Sequence, residues 1–178
     1  MHASAKAAPA AELDFVTSRI IDAPRDLVWT LWTELDHLKQ WWGPKGFKVS
    51  AATLDLRPGG LFHYGLRAPD GNEMWGKFVF REIVAPERLV FVSAFSDAQG
   101  GTTRAPFPGL VWPLHTLSTV TFVDRGARTE LLLHGRPLDA SREEEASFAG
   151  MHESMRGGWG GTFDQLAAHA AGVSARQG

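Results

Sequence analysis

The feature that most constrains this chain is a change of period. Between Phe47 and Arg136 apolar residues tend to alternate with polar ones, whereas beyond Ser141 they recur three or four apart. Alternation puts side chains on the two faces of a strand, and the longer spacing puts them on one stripe of a helix. Candidate strands cover 47–56, 61–68, 73–84, 89–96, 114–124 and 128–136. Arg57-Pro58-Gly59-Gly60, Ala68-Pro69-Asp70-Gly71-Asn72, Ala85-Pro86-Glu87-Arg88 and Asp124-Arg125-Gly126-Ala127 separate them. Each is a turn signal, in which Pro fixes φ or Gly and Asn supply positive φ. Strands joined this tightly are antiparallel, because parallel pairing needs long crossovers.

Upstream, 13–21 alternates as a first strand, and Asp22-Ala23-Pro24 stops it. Asp22 is a candidate N-cap and Pro24 an early-helix proline for an amphipathic helix over 24–34. Asp36 is a candidate cap for a second short helix ending at Trp42-Gly43-Pro44. The segment 96–111 holds Gly100-Gly101, Pro106 and Pro108 beside Phe107 and Leu110, and predicts a long ordered loop over the sheet edge or a pocket mouth. At the C-terminal end, Ser141 and Glu144 form a capping-box pattern. Phe148, Met151, Met155, Trp159, Phe163 and Leu166 then make one apolar stripe on a helix running to about Ala170. Four glycines flank Trp159 within that helix, each costing about 1 kcal/mol relative to Ala. Close approach to the sheet, room for the Trp159 ring, or a kink would account for them.

These elements predict an α+β fold in which a curved seven-stranded antiparallel sheet wraps around a long C-terminal helix, with two short helices after the first strand. A sheet with one face to bury and one long amphipathic helix solve each other's burial problem. A chain of 178 residues suits a single domain, here 12–172, with a disordered arm over 1–11 and a flexible tail over 173–178.

Composition narrows the function. The formal net charge of -2 and the scattered Lys and Arg argue against a nucleic-acid partner. No apolar run approaches the ~20 residues of a membrane helix, so a soluble, cytoplasmic protein with no membrane partner is expected. The absence of cysteine excludes thiolate catalysis and Cys-based metal sites, and no HExxH, phosphate-loop or nucleophile-elbow pattern occurs. Neither a metal nor a cofactor is expected. Seven Trp and eleven Phe stand against one Tyr, enough wide rigid side chains to line a cavity as well as fill a core.

Several motifs occur in a family's order: Ala23-Pro24 opening a helix, Leu38-Lys39-Gln40-Trp41-Trp42-Gly43-Pro44, Arg57-Pro58-Gly59-Gly60, Pro86-Glu87-Arg88-Leu89-Val90-Phe91 and Gly158-Trp159. The chain resembles the bacterial branch of the activator of Hsp90 ATPase homologue-like family, within the START and birch-pollen-allergen-like helix-grip superfamily. The resemblance runs from about Phe15 to Ala170. It implies the helix-grip fold and a cavity between sheet and helix. Activity does not follow, because the superfamily holds lipid carriers, hormone receptors, polyketide cyclases and co-chaperone domains.

The expected partner is a small apolar or aromatic molecule. Candidate lining residues are Trp41, Trp42, Phe62, Tyr64, Phe78, Phe80, Trp112, Met151, Met155 and Trp159. Their aromatic and Met side chains suit adaptable apolar binding. The alternative is a cyclase/dehydratase-like or hydrolase-like enzyme in the same cavity. No catalytic set is defined, and His152, Tyr64 and His115 are the proton-transfer candidates, with Glu153 nearby and Arg19 or Arg67 as carboxylate partners. A second alternative is an Hsp90 co-chaperone-like interaction domain. A homodimer through an exposed strand or helix surface is a further expectation.

Overall fold

A computed structural model describes residues 13–177. The expected arm over 1–11 lies outside the described residues. The strands are β1 (Phe15–Ile21), β2 (Lys48–Leu54), β3 (Leu61–Arg67), β4 (Glu73–Val84), β5 (Arg88–Ser96), β6 (Thr102–Thr103), β7 (His115–Arg125) and β8 (Arg128–Leu138). The helices are α1 (Arg25–Thr33), α2 (Leu35–Trp41), α3 (Arg142–Gly150) and α4 (His152–Gln177). All strand pairs are antiparallel in the order β1-β8-β7-β5-β4-β3-β2, with β6 paired to β5. Among the described residues the sheet therefore has eight strands. The additional one lies in the segment expected as loop. There the Asp97 carboxylate accepts from the backbone N–H of Gln99 and Gly101 and holds a tight turn, so two residues pair back onto β5.

Alternation decides which face is buried. Phe62, Phe78, Phe80, Phe91, Val120, Phe122, Leu131 and Leu133 share the concave face and are almost wholly buried. Val28, Leu31 and Trp32 of α1, Leu38 and Trp41 of α2, Phe148 of α3, and Phe163, Leu166 and Ala170 of α4 complete one continuous core with them. Burying a side chain of this size is worth about 1.5–3 kcal/mol, which makes this cluster the main stabilising element. On the opposite face of the β1–β8 edge, Val16, Ile20 and Leu132 are exposed.

Three local expectations are corrected. Asp22 and Asp36 cap nothing: Pro24 and Glu34 occupy the cap positions of α1 and α2 without side-chain hydrogen bonds, and Asp36 lies inside the first turn of α2. The C-terminal stripe is two helices rather than one. Ser141 Oγ does accept from the Glu144 N–H at 3.1 Å, as the capping box predicts. The helix then breaks at Met151 (φ -102°, ψ 5°), next to Gly150, so Met151 sits at a joint. The glycines at 157–161 stay helical, and α4 runs to Gln177 with Val173 buried, so most of the expected tail is helix.

Candidate functional site

The turn that ends α2 builds one wall of a cavity. Gly43 adopts φ +113°, a conformation that disfavours side chains, and a Cβ there would lie 2.9 Å from Leu66. This tight turn leaves its carbonyls facing α4. Gln165 Nε2 donates to the Gly43 carbonyl at 2.6 Å and to that of Trp41 at 3.2 Å, and Thr162 Oγ1 donates to Gly43 at 3.1 Å. The first turns of α4 are thereby held opposite the end of the sheet, and a cavity of about 300 Å³ remains between them.

Trp42, Tyr64, Phe95, Trp112 and Trp159 form its aromatic walls, and Leu66, Met74 and Leu114 extend the apolar surface. Gly43, Pro44, Trp75, Gly76, Ala94, Pro113 and Gly158 also border it, with Ser93, Thr116 and Thr162 as hydroxyl-bearing members. Among the described residues, no Asp, Glu, Lys, Arg or His lines it. Such a lining suits an apolar guest oriented by a few hydrogen bonds.

Tyr64 is placed by a missing side chain. It lies opposite Gly76 on β4, and a Cβ at Gly76 would come within 2.5 Å of the Tyr64 hydroxyl. The ring packs against Phe62 (4.9 Å), Phe78 (5.8 Å) and Trp42 (5.5 Å). Burial pushes the phenol well above the usual tyrosine range, an effect that the adjacent Trp42 indole partly offsets. The hydroxyl is therefore a proton donor at physiological pH. Trp42 Nε1 itself is buried without a partner of hydrogen-bonding geometry among the described residues.

Four of the ten expected lining residues meet at this cavity: Trp42, Tyr64, Trp112 and Trp159. The other six do not line it. Trp41 is 1% exposed and donates its indole N–H to the Leu31 carbonyl at 2.9 Å, an anchor between α1 and α2. Phe62 and Phe78 lie under Trp42, whose ring contacts them edge-on at 6.0 and 5.1 Å, and Phe80 is buried beside Phe91. Met155 packs on the core and Met151 marks the helix joint.

The proton-transfer candidates are dispersed. His152 Nε2 is 3.0 Å from the Leu13 carbonyl, with its ring against Phe15 and Phe148. His115 borders a separate depression on the outer face of the sheet, beside Lys77, Arg81 and Asp139. Glu153 is exposed on α4. Arg19 is taken by Asp164 (2.6 Å) and the Gly160 carbonyl (3.1 Å), and Arg67 by Glu73 (2.7 Å). Only Tyr64 of these groups reaches the cavity. Among the described residues, no group of three or more His, Cys, Asp or Glu side chains is placed to hold a metal ion.

Sequence reading missed Phe95, Met74, Ser93 and Thr116. Phe95 and Ser93 share the parity of core residue Phe91 on β5, which is the signal that would have found them. The loop expected over the sheet edge or pocket mouth reaches this region: exposed Phe107 stands edge-on to Phe95 at 6.0 Å.

Comparison with known proteins places this architecture. The family described as activator of Hsp90 ATPase homolog 1-like protein matches residues 22–171. A crystal structure of a Nitrosomonas europaea protein superposes with a TM-score of 0.72 at 27% identity, covering 94% of this chain and 99% of its own. A solution structure from Arthrobacter aurescens gives 0.74 at 27% identity, covering 92% and 89%. The crystal structure of an AHSA1 protein from Silicibacter pomeroyi, at 20% identity and a TM-score of 0.65, covers 89% and 97% and shares the fold. Among curated proteins, none matches the chain. Most of the chain is thus covered by one family profile, and the protein belongs to the activator of Hsp90 ATPase homolog 1-like family.

Proposed function

We propose that this protein is a cytoplasmic binding protein, a carrier or sensor, that holds a small apolar or aromatic molecule between the sheet and α4. The observation that carries this reading is the cavity of about 300 Å³ whose walls are mainly aromatic and whose lining, among the described residues, contains no charged side chain. That volume is at the small end of the range for ligand sites and suits a compact molecule of one to three rings. Desolvating such a guest among Trp and Phe rings is favourable without any ion pair. For a cyclase-like or hydrolase-like reaction, Tyr64 is the one titratable side chain in the lining among the described residues, and proton shuttling needs a convergent acid and base. A co-chaperone role has only the family's name behind it.

Native mass spectrometry of the freshly purified protein, followed by denaturing analysis of released material, tests the reading. A reproducible small-molecule adduct is expected, and Gly158→Leu should reduce it. Gly158 borders the cavity and a Cβ there meets nothing within 4 Å, so a leucine can be added without a clash and takes up space at the cavity's border. An apo mass, together with no response of the cavity tryptophans to a panel of apolar probes in NMR titrations, would sink the binding reading.

A further inference from the structure

The cavity carries a proton inventory that its apolar walls conceal. Ser93 on β5 and Thr116 on β7 are paired in register, and their hydroxyl oxygens lie 2.6 Å apart. Two hydroxyls in mutual contact hold two protons but need only one for their shared bond. The second proton has no protein acceptor among the described residues, and both side chains border the cavity. The Tyr64 hydroxyl likewise donates to no protein group among the described residues, and a phenol is protonated at physiological pH. Thr162, the remaining hydroxyl, is already committed to the Gly43 and Gly158 carbonyls.

Among the described residues the cavity therefore offers two unspent O–H donors, on neighbouring rows of the concave face, beside the unpartnered Trp42 indole N–H, and no countercharge. A buried carboxylate or ammonium would lose its hydration with no opposite charge to replace it. A guest without acceptors would leave both donors unpaired, which is also costly.

Resting on the binding reading above, we infer that the ligand is an uncharged cyclic molecule bearing carbonyl-type acceptors, which Tyr64 and the Ser93–Thr116 pair recognise as donors. Selectivity then comes from two positions that composition does not advertise. The ring system is gripped by Trp42, Trp112 and Trp159, and the acceptors set its orientation.

NMR titration with naphthalene, acetylnaphthalene and naphthoate tests this, with the Trp indole N–H signals as reporters. Wild-type protein is expected to prefer acetylnaphthalene to naphthalene about ten-fold, the scale of one well-made hydrogen bond. Naphthoate should bind more weakly than either. The combined variant Tyr64→Phe, Ser93→Ala, Thr116→Val should bind naphthalene more tightly than wild type does, because neither O–H donor is then left unpaired, and should lose the preference for acetylnaphthalene; its naphthalene binding shows that it folds. The variant with Tyr64→Phe alone, set against the Ser93→Ala, Thr116→Val pair, identifies which donor meets a single carbonyl. Equal binding of naphthalene and acetylnaphthalene, tightest binding of naphthoate, or a preference that survives the combined variant would overturn the inference while leaving a binding cavity in place. Failure of all three probes to bind would instead count against the cavity as a binding site, and this inference would go with it.

Discussion

Tyr64 owes its position to what Gly76 lacks. Added to Gly76, a Cβ would meet the Tyr64 hydroxyl at 2.5 Å and its ring at 2.7 Å, and the ring is held on other sides by Phe62, Phe78 and Trp42. Neither strand can yield easily, because β4 is paired on both edges. Gly76→Ala should therefore destabilise the protein by roughly 1–3 kcal/mol, the range for overpacking a filled site, and displace the Tyr64 donor. Urea denaturation checks the first effect. A double-mutant cycle checks its cause: in a Tyr64→Ala background the same glycine substitution should cost much less. If it costs as much there, the clash is not the reason for the glycine. The same contacts explain why site residues were harder to read than core residues. Alternation identifies the face of Phe62, Tyr64 and Phe78 but not that Trp42 packs on all three and that only Tyr64 of them still borders the cavity.

At the scale of elements, the glycines around Trp159 invert the expectation attached to them. Four helix-weakening glycines within five positions are compatible with a kink, yet the break falls at Gly150 and Met151, which the continuous stripe does not mark. Hydrophobic spacing reports a shared face, and α3 and α4 both bury theirs, so the stripe continues across the joint. Close approach explains Gly161, whose Cβ would sit 3.3 Å from that of Lys45, but not Gly157 or Gly160, which meet nothing within 4 Å. Gly157→Ala should thus stabilise the protein by about 0.5–1 kcal/mol through helix propensity and a less entropic unfolded chain. Gly161→Ala should gain less or lose, because Lys45 must give way. Paired thermal and urea melts of the two variants decide it, and equal gains would mean that the Lys45 contact does not constrain α4. The strands were far more legible, since turn residues punctuate them and β4 spans 73–84 as the alternation indicates. Only the two-residue β6 escaped, being too short to carry a period.

The molecule as a whole is closed by contacts between residues more than a hundred positions apart, and these no local pattern reveals. Gln165 and Thr162 tie α4 to the end of α2, Arg19 ties β1 to α4, and a histidine pair adds a second link between α2 and α4. His37 Nδ1 and His169 Nε2 are 2.9 Å apart, so one nitrogen must donate and the other must be an unprotonated acceptor. Around them lie Glu34, 3.8 Å from His37 Nε2, and Arg176 on the last turn of α4. Burial, then the His37 charge and Arg176, all push His169 below the ordinary histidine value. In the unfolded chain His169 recovers that value, about 6.5, and so takes up a proton before the folded protein does. Stability should be full above about pH 6.5 and decline as the pH falls towards the lower folded value, where the loss levels off. Urea midpoints measured from pH 8 downwards should show this step in wild type, with His169→Gln flattening it. An unchanged step in that variant would assign the loss to other groups, and would mean that the α2–α4 link closing the far end of the core does not depend on a neutral histidine.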